Sequence, residues 1–198
     1  MDTNSLEIIN SAADLFDRYG ARKTTMEDIA REVGKGKSTL YYYFKNKEEV
    51  FESVLRHEFD SLKSQIMEAI TEADDCYFMM KEFVKAVFSG IHQFRNLKKS
   101  LLNEVDGKSK ATASLIRSQF IDWELSSINQ ILAKGMITGA FRNMTDQELV
   151  INSQAISIAM MGLKAILLNE TDAEETNRKI DNLLSLLFNG ISNQHGTK

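Results

Sequence analysis

Residues 34–50 read GKGKSTLYYYFKNKEEV. Lysines alternate with glycines, a Ser-Thr pair follows, and then come three consecutive tyrosines. Such a string offers two kinds of phosphate chemistry. A loop that cradles nucleotide phosphates requires Gly, four residues and then Gly-Lys-Ser/Thr, following a buried strand. Gly36-Lys37-Ser38 fits the end of that pattern, but Arg31 stands where the first glycine is needed. The preceding segment also has the spacing of a helix. The alternative is a surface that lies on a nucleic-acid backbone, and the flanking sequence supports it.

Upstream, Leu6, Ile9, Ala13 and Phe16 recur at spacings of three and four, which predicts an amphipathic helix stopped by Gly20. Thr24 with Glu27 reads as a capping box opening a second, short helix, whose apolar stripe is Ile29, Ala30 and Val33 and which ends at Gly34. After the tight Gly-Lys-Gly turn a third helix begins. Leu40 and Phe44, four apart, share its inner face. Lys37, Ser38, Thr39 and Tyr42 then face outward, with Tyr43 beside them, and Tyr41 is partly packed. Asn46 with Glu49 opens a long fourth helix that keeps its apolar period to about residue 72. Three short helices with a tight turn before the third describe a helix-turn-helix unit, whose third helix enters the major groove. Lys45 and Lys47 flank the start of the fourth helix, where cations oppose the helix dipole unless a phosphate sits there.

The stretch AADLFDRYGARKTTMEDIAREVGKGKSTLYYYFKNKEEVF, within residues 6–51, strongly resembles the DNA-binding domain of TetR-family transcriptional regulators. By that resemblance Thr25 contacts a phosphate at the start of the second helix. Lys37, Ser38, Thr39 and Tyr42 meet bases or adjacent phosphates, Tyr41 and Tyr43 meet the backbone, and Lys47 is the phosphate anchor of the fourth helix. Two positions depart from the pattern. Lys35 stands where a small apolar residue is usual, and is either a further phosphate contact or a solvated lysine. Gly36 replaces a usual Ser cap and is itself an acceptable N-cap.

Charge distribution agrees with a DNA-facing end. Residues 22–47 hold seven Lys/Arg against three acids, a balance of +4, so the remainder carries −8 in a chain whose net charge is −4. A basic patch on an acidic body suits one polyanion-binding face. The 198 residues include no proline, and 43% are apolar, which favours an all-α fold with a core. Cys76 is the only cysteine, which fits a reducing cytoplasm and leaves no thiolate metal cluster. No secretory leader and no apolar run of membrane-spanning length is expected. His57, His92 and His195 are scattered, and no metal, cofactor or catalytic motif is expected.

The remaining periodicity predicts helices over 77–95, 97–105 and 109–134, the last closed by Gly135. A capped helix follows over 146–168 (Thr145 with Glu148), and a last one over 172–189 (Thr171 with Glu174) is stopped by Gly190. The expected organisation is a helix-turn-helix domain over 1–46 and a helical domain over 47–198. The resemblance implies that the second domain binds a ligand and dimerises. Ala155, Ala159 and Gly162 offer a close-packing stripe, and Leu183 and Leu187 on the last helix extend it into a dimer-forming four-helix bundle. Phe83, Phe88, His92, Phe120 and Trp123 are candidate pocket residues, although each is equally ordinary core material. The expected function is a dimeric repressor released from a pseudo-palindromic operator on double-stranded DNA by an apolar or amphipathic small molecule. Two other readings fit as well: a regulator governed by a protein partner, and an enzyme or carrier domain with an appended DNA-binding unit.

Overall fold

A computed structural model describes residues 3–71, 73, 75–105, 107–167 and 173–191, without the side chains of 165–167, 173, 187 and 189–191. Every regular element among them is helical. α1 spans Thr3–Tyr19, α2 Met26–Val33, α3 Lys37–Tyr43, α4 Lys47–Thr71 and α5 Cys76–Gln93. α6 spans Arg95–Leu101, and after a 3-10 turn at Gly107–Ser109 come α7 (Lys110–Thr138), α8 (Asp146–Leu167) and α9 (Ala173–Ile191). The chain forms two compact units, Met1–Leu62 with Gln93–Phe120, and Lys63–His92 with Ile121–Lys198. The expected break between 46 and 47 lies at the start of α4, within the first unit.

In the first unit α1, α2 and α3 bury their apolar faces, although Leu6 of the expected α1 stripe is exposed and Ala13 and Val33 are half-buried. Ile8, Ile9, Phe16, Ile29 and Leu40 are buried, and Phe51 of α4 meets Phe16 edge-on at 5.2 Å between ring centroids. Farther along α4, Phe59 packs on Phe120 at 5.5 Å. α6 lies against α1 through polar links as well. Asp17 of α1 pairs with Arg95 at 2.8 Å and Lys99 at 2.7 Å. Burial alone would raise the Asp17 carboxyl, but these two hydrogen-bonded cations hold it below its ordinary value. The Asn96 side-chain amide donates to the Ala13 carbonyl and to Glu58 of α4, whose other oxygen accepts the Leu97 N–H at 2.6 Å. Glu58 is therefore a long-range cap for α6, and burial pushes its carboxyl up.

That cap explains one boundary shift. The helix expected over 97–105 begins at Arg95, where Glu58 supplies the missing acceptor, and ends at Leu101. Asn103, at φ 59, turns the chain, and the Glu104 N–H closes on the Lys99 carbonyl.

The second unit buries Met80, Phe83, Val84, Val87 and Phe88 of α5 with Ile128 and Leu132 of α7 and Met160 of α8. Phe141 stacks on Phe188 at 5.4 Å, and Tyr77 touches the same Phe188 ring at 4.6 Å. Two glycines expected to stop helices do not. α7 runs through Gly135 to Thr138, and Gly139, at φ 78, makes the turn. A Cβ at Gly135 would stand 2.0 Å from a Phe141 ring carbon, so that glycine makes room for a ring. α9 likewise runs past Gly190 to Ile191, since one glycine costs a helix only about 1 kcal/mol. The Thr145–Glu148 capping box of α8 is present in full, whereas Thr171 lies outside the described residues.

Candidate nucleic-acid interface

The α2 cap sits one residue from its expected place. Thr25, not Thr24, is the N-cap: its hydroxyl accepts the Asp28 N–H at 3.2 Å, and the Asp28 carboxylate accepts the Thr25 N–H at 3.0 Å. Thr24 is buried, and its hydroxyl donates to the Gly20 carbonyl at 3.0 Å. With Asp28 as the capping acid, Glu27 turns away from the cap and forms an ion pair with Lys37 at the start of α3. The hydrogen bond from Lys37 lowers the Glu27 carboxyl, and its counterpart raises the Lys37 ammonium.

α3 follows the Gly36 cap, which has no side chain to offer. Leu40 and Phe44 point inward, at 0% and 5% exposure. The opposite face presents Lys37 and Ser38 exposed, Thr39 half-buried, Tyr41 at 49% and Tyr42 at 82% exposure. Tyr43 is half-buried. Its ring meets Tyr42 edge-on at 5.0 Å, and its hydroxyl accepts from the Asn4 side chain at 3.3 Å. Lys35 is held to α1 by an ion pair with Glu7 at 2.8 Å and a hydrogen bond to Asn4. It is neither simply solvated nor aimed outward.

α4 begins as its sequence predicts. The Asn46 side-chain oxygen accepts the Glu49 N–H at 2.8 Å, and the Glu49 carboxylate accepts the Lys45 N–H at 2.7 Å. Lys47 donates from Nζ to the Arg22 carbonyl at 3.2 Å, which ties the start of α4 to the α1–α2 turn. Thr25 of the α2 cap and Lys37, Ser38, Tyr41 and Tyr42 of α3 are all exposed, and the Glu27–Lys37 pair links the two helix starts. These residues can offer a duplex hydroxyls, an ammonium and aromatic edges, with the apolar side of α3 sealed behind them.

The residues named for the second domain are placed as follows. Phe83, Phe88 and Phe120 are buried, Trp123 is half-buried with its ring 5.9 Å from that of Phe83, and His92 is exposed. Ala155 and Gly162 are exposed, Ala159 and Leu183 half-buried, and the Leu187 side chain lies outside the described residues. The first two continue an exposed stripe through Ile151 and Ile158 of α8, the latter 63% exposed, and among the described residues nothing beyond the helix's own backbone and the adjoining residues lies within 4 Å of a Cβ built on Gly162.

Sequence reasoning missed a buried polar cluster in this unit: Lys164 of α8 forms an ion pair with Glu124 of α7, and the Ser157 hydroxyl lies 3.5 Å from the same carboxylate. Burial pushes the Lys164 ammonium down against the pull of Glu124. The only sequence signal was that Ser157 and Lys164 interrupt an apolar run. Among the described residues no helix is long and apolar enough to cross a membrane.

Residues 8–54 match the family model described as bacterial regulatory proteins, tetR family. Over a longer span the chain is similar to the HTH-type transcriptional repressor KstR2 of Mycolicibacterium smegmatis, 27% identical across 73% of this chain and 70% of that protein. The negative transcriptional regulator IcaR of the Staphylococcus aureus biofilm operon is 39% identical over 61 residues, 31% of this chain and 33% of IcaR. The fold is that of the transcriptional regulator FadR from Bacillus subtilis, solved in complex with stearoyl-CoA. The TM-score is 0.73 at 19% identity, across 94% of this chain and 98% of that one.

Proposed function

The chain belongs to the TetR family of bacterial transcriptional regulators, and on that premise we propose that it is a cytoplasmic, dimeric repressor whose hold on its operator is weakened by a small molecule. The observation that carries the DNA half is α3: Leu40 and Phe44 are sealed inward while Tyr42 stands 82% exposed beside Lys37 and Ser38. A helix so divided is anchored on one side and available to a groove on the other. Residues 1–46 act as the reading module. Tyr42, Ser38 and Thr39 meet base edges or adjacent phosphates, while Thr25, Lys37, Tyr41, Tyr43 and Lys47 hold the sugar-phosphate backbone. Lys35 serves the module indirectly by fixing α1.

The exposed stripe of Ile151, Ala155, Ile158 and Gly162 is the dimer face, with Ala159 at its edge and Leu183 and Leu187 contributed by α9. Apolar side chains this exposed in a contiguous row are a usual mark of a partner surface. A two-fold pair of readers requires a pseudo-palindromic site. For the effector, FadR with its bound stearoyl-CoA supports an apolar or amphipathic molecule. Phe83, Phe88, His92 and Trp123 are its proposed neighbours in the second unit. Phe120, named with them from the sequence, packs on Phe59 in the first. The relatives' roles support a regulator rather than an enzyme.

Selection of bound sequences from random duplexes with the pure full-length protein tests this reading. The expected result is one enriched motif with two inverted half-sites about one helical turn apart. Recovery of unenriched sequence, with affinity that depends on salt alone, would overturn it.

A further inference from the structure

A cleft of 420 Å³ opens where the end of α1 and the α1–α2 turn meet α4 and α6. All of its lining residues belong to the first unit. Its apolar walls come from Phe16, Ala21, Phe51 and Val105, each buried in the fold. Three cations stand in the lining, Arg22, Lys23 and Lys99, against the single carboxylate of Glu104. Lys99 is already committed to Asp17. Arg22 and Lys23 are exposed and form no ion pair among the described residues. An apolar recess with two uncompensated cations in its lining is complementary to a molecule with an apolar body and an anionic head.

We propose that this cleft binds a small amphipathic carboxylate, its apolar end against Phe16, Phe51 and Val105 and its carboxylate toward Arg22 and Lys23, and that occupancy weakens DNA binding. A cleft of 420 Å³ lies toward the small end of ligand pockets, which run to about 300–1,000 Å³, and suits a medium-chain or aryl-alkyl acid. The coupling to DNA, which rests on the function proposed above, has a direct path. The carbonyl that receives the Lys47 ammonium belongs to Arg22, a residue of the cleft. A bound carboxylate also offsets charge on the +4 segment to which Arg22 and Lys23 belong.

The test is calorimetric titration of the full-length protein with octanoate and with 4-phenylbutyrate, each against its neutral amide. Wild-type protein is expected to bind the acids about tenfold tighter than the amides, because a charged head makes the stronger hydrogen bonds. Val105→Trp fills the cleft and should abolish binding of both forms. Lys23→Gln, at an exposed position that leaves the fold intact, should weaken the acids and leave the amides unchanged. Saturating acid should lower affinity for the selected operator about fivefold or more in the wild type and not in Val105→Trp.

Equal binding of acid and amide, or acid binding that survives both substitutions, overturns the proposal; the second result would place the ligand elsewhere in the protein. Acid binding at the cleft with unchanged operator affinity overturns the coupling. Failure to select any operator sinks the DNA reading and leaves the binding experiment intact.

Discussion

Replacing Gly135 by alanine sets two effects of opposite sign against each other. In the interior of α7 the added methyl favours the helix by about 1 kcal/mol, because alanine has less backbone entropy to lose. The same methyl would lie 2.0, 2.5 and 2.9 Å from three carbons of the Phe141 ring. Carbon atoms rest at about 3.5–4.0 Å, so the ring must withdraw by roughly 1.5 Å. It has little room to do so, being 2% exposed and stacked on Phe188, which Tyr77 holds from another side. Overpacking of this kind costs about 1–3 kcal/mol, and the tight surround places Gly135→Ala near the upper end. The net is a loss of about 2 kcal/mol, or a fall in Tm of about 4–8 °C for a chain of this length.

With Phe141→Ala the obstacle is gone. In that background Gly135→Ala should stabilise by about 1 kcal/mol, so the coupling between the two sites is about 3 kcal/mol. Thermal unfolding by circular dichroism of the four proteins, at one fixed concentration, measures the cycle. A Gly135→Ala effect of the same sign in both backgrounds refutes the reasoning.

Three further outcomes are expected. Tyr42→Ala should cost about 1–3 kcal/mol and flatten preference at one position per half-site, while Lys47→Ala should weaken all sequences alike and reduce the salt slope by about one per half-site. Anisotropy titrations on operator variants across a salt series separate the two, and an unchanged ranking for Tyr42→Ala removes it as a base reader. Ile158→Asp places a charge on the exposed α8 stripe and should yield monomers in sedimentation at micromolar concentration; a variant that remains dimeric dismisses that face.

Glu58→Gln should change the pH dependence of stability. Burial raises the folded-state value of this carboxyl above its usual 4.5, so its contribution is fully present below that value and is lost as pH rises through the folded value. The wild type should therefore lose stability relative to Glu58→Gln as pH rises above the usual 4.5 in urea titrations. A constant difference across that range contradicts the assignment.

The helix-turn-helix end and several helix starts were legible in the sequence because their signals are local. Helix starts at Asn46 and Thr145, the stop at Gly34 and the inward pair Leu40 and Phe44 depend on residues within four positions of one another. The misplaced cap at Thr24 shows where local rules run out. Two threonines followed at the same spacing by two acids satisfy the capping rule in either register. Only the burial of Thr24 against the carbonyl of Gly20 selects Thr25. Gly135 misled for a related reason, since a glycine that spares room for a ring six residues on looks like a stop signal. The clamp of Asp17 with Arg95 and Lys99, and the cap that Glu58 gives α6, join positions 39 to 82 residues apart. No periodicity encodes such pairings. The candidate interface was legible as a set of residues, but not the partners that already hold Lys35, Lys37 and Lys47.

If α3 meets DNA as proposed, the pairing of Lys37 with Glu27 has a kinetic consequence. Any phosphate that takes this ammonium must first displace a carboxylate, so the lysine gives each passing stretch of duplex less than its full attraction. Random sequence, held by phosphates alone, loses the most in proportion. A site that also satisfies the tyrosine edges can bear the cost of displacement. An intramolecular competitor of this sort shortens the time wasted on irrelevant DNA and quickens the search for the right address.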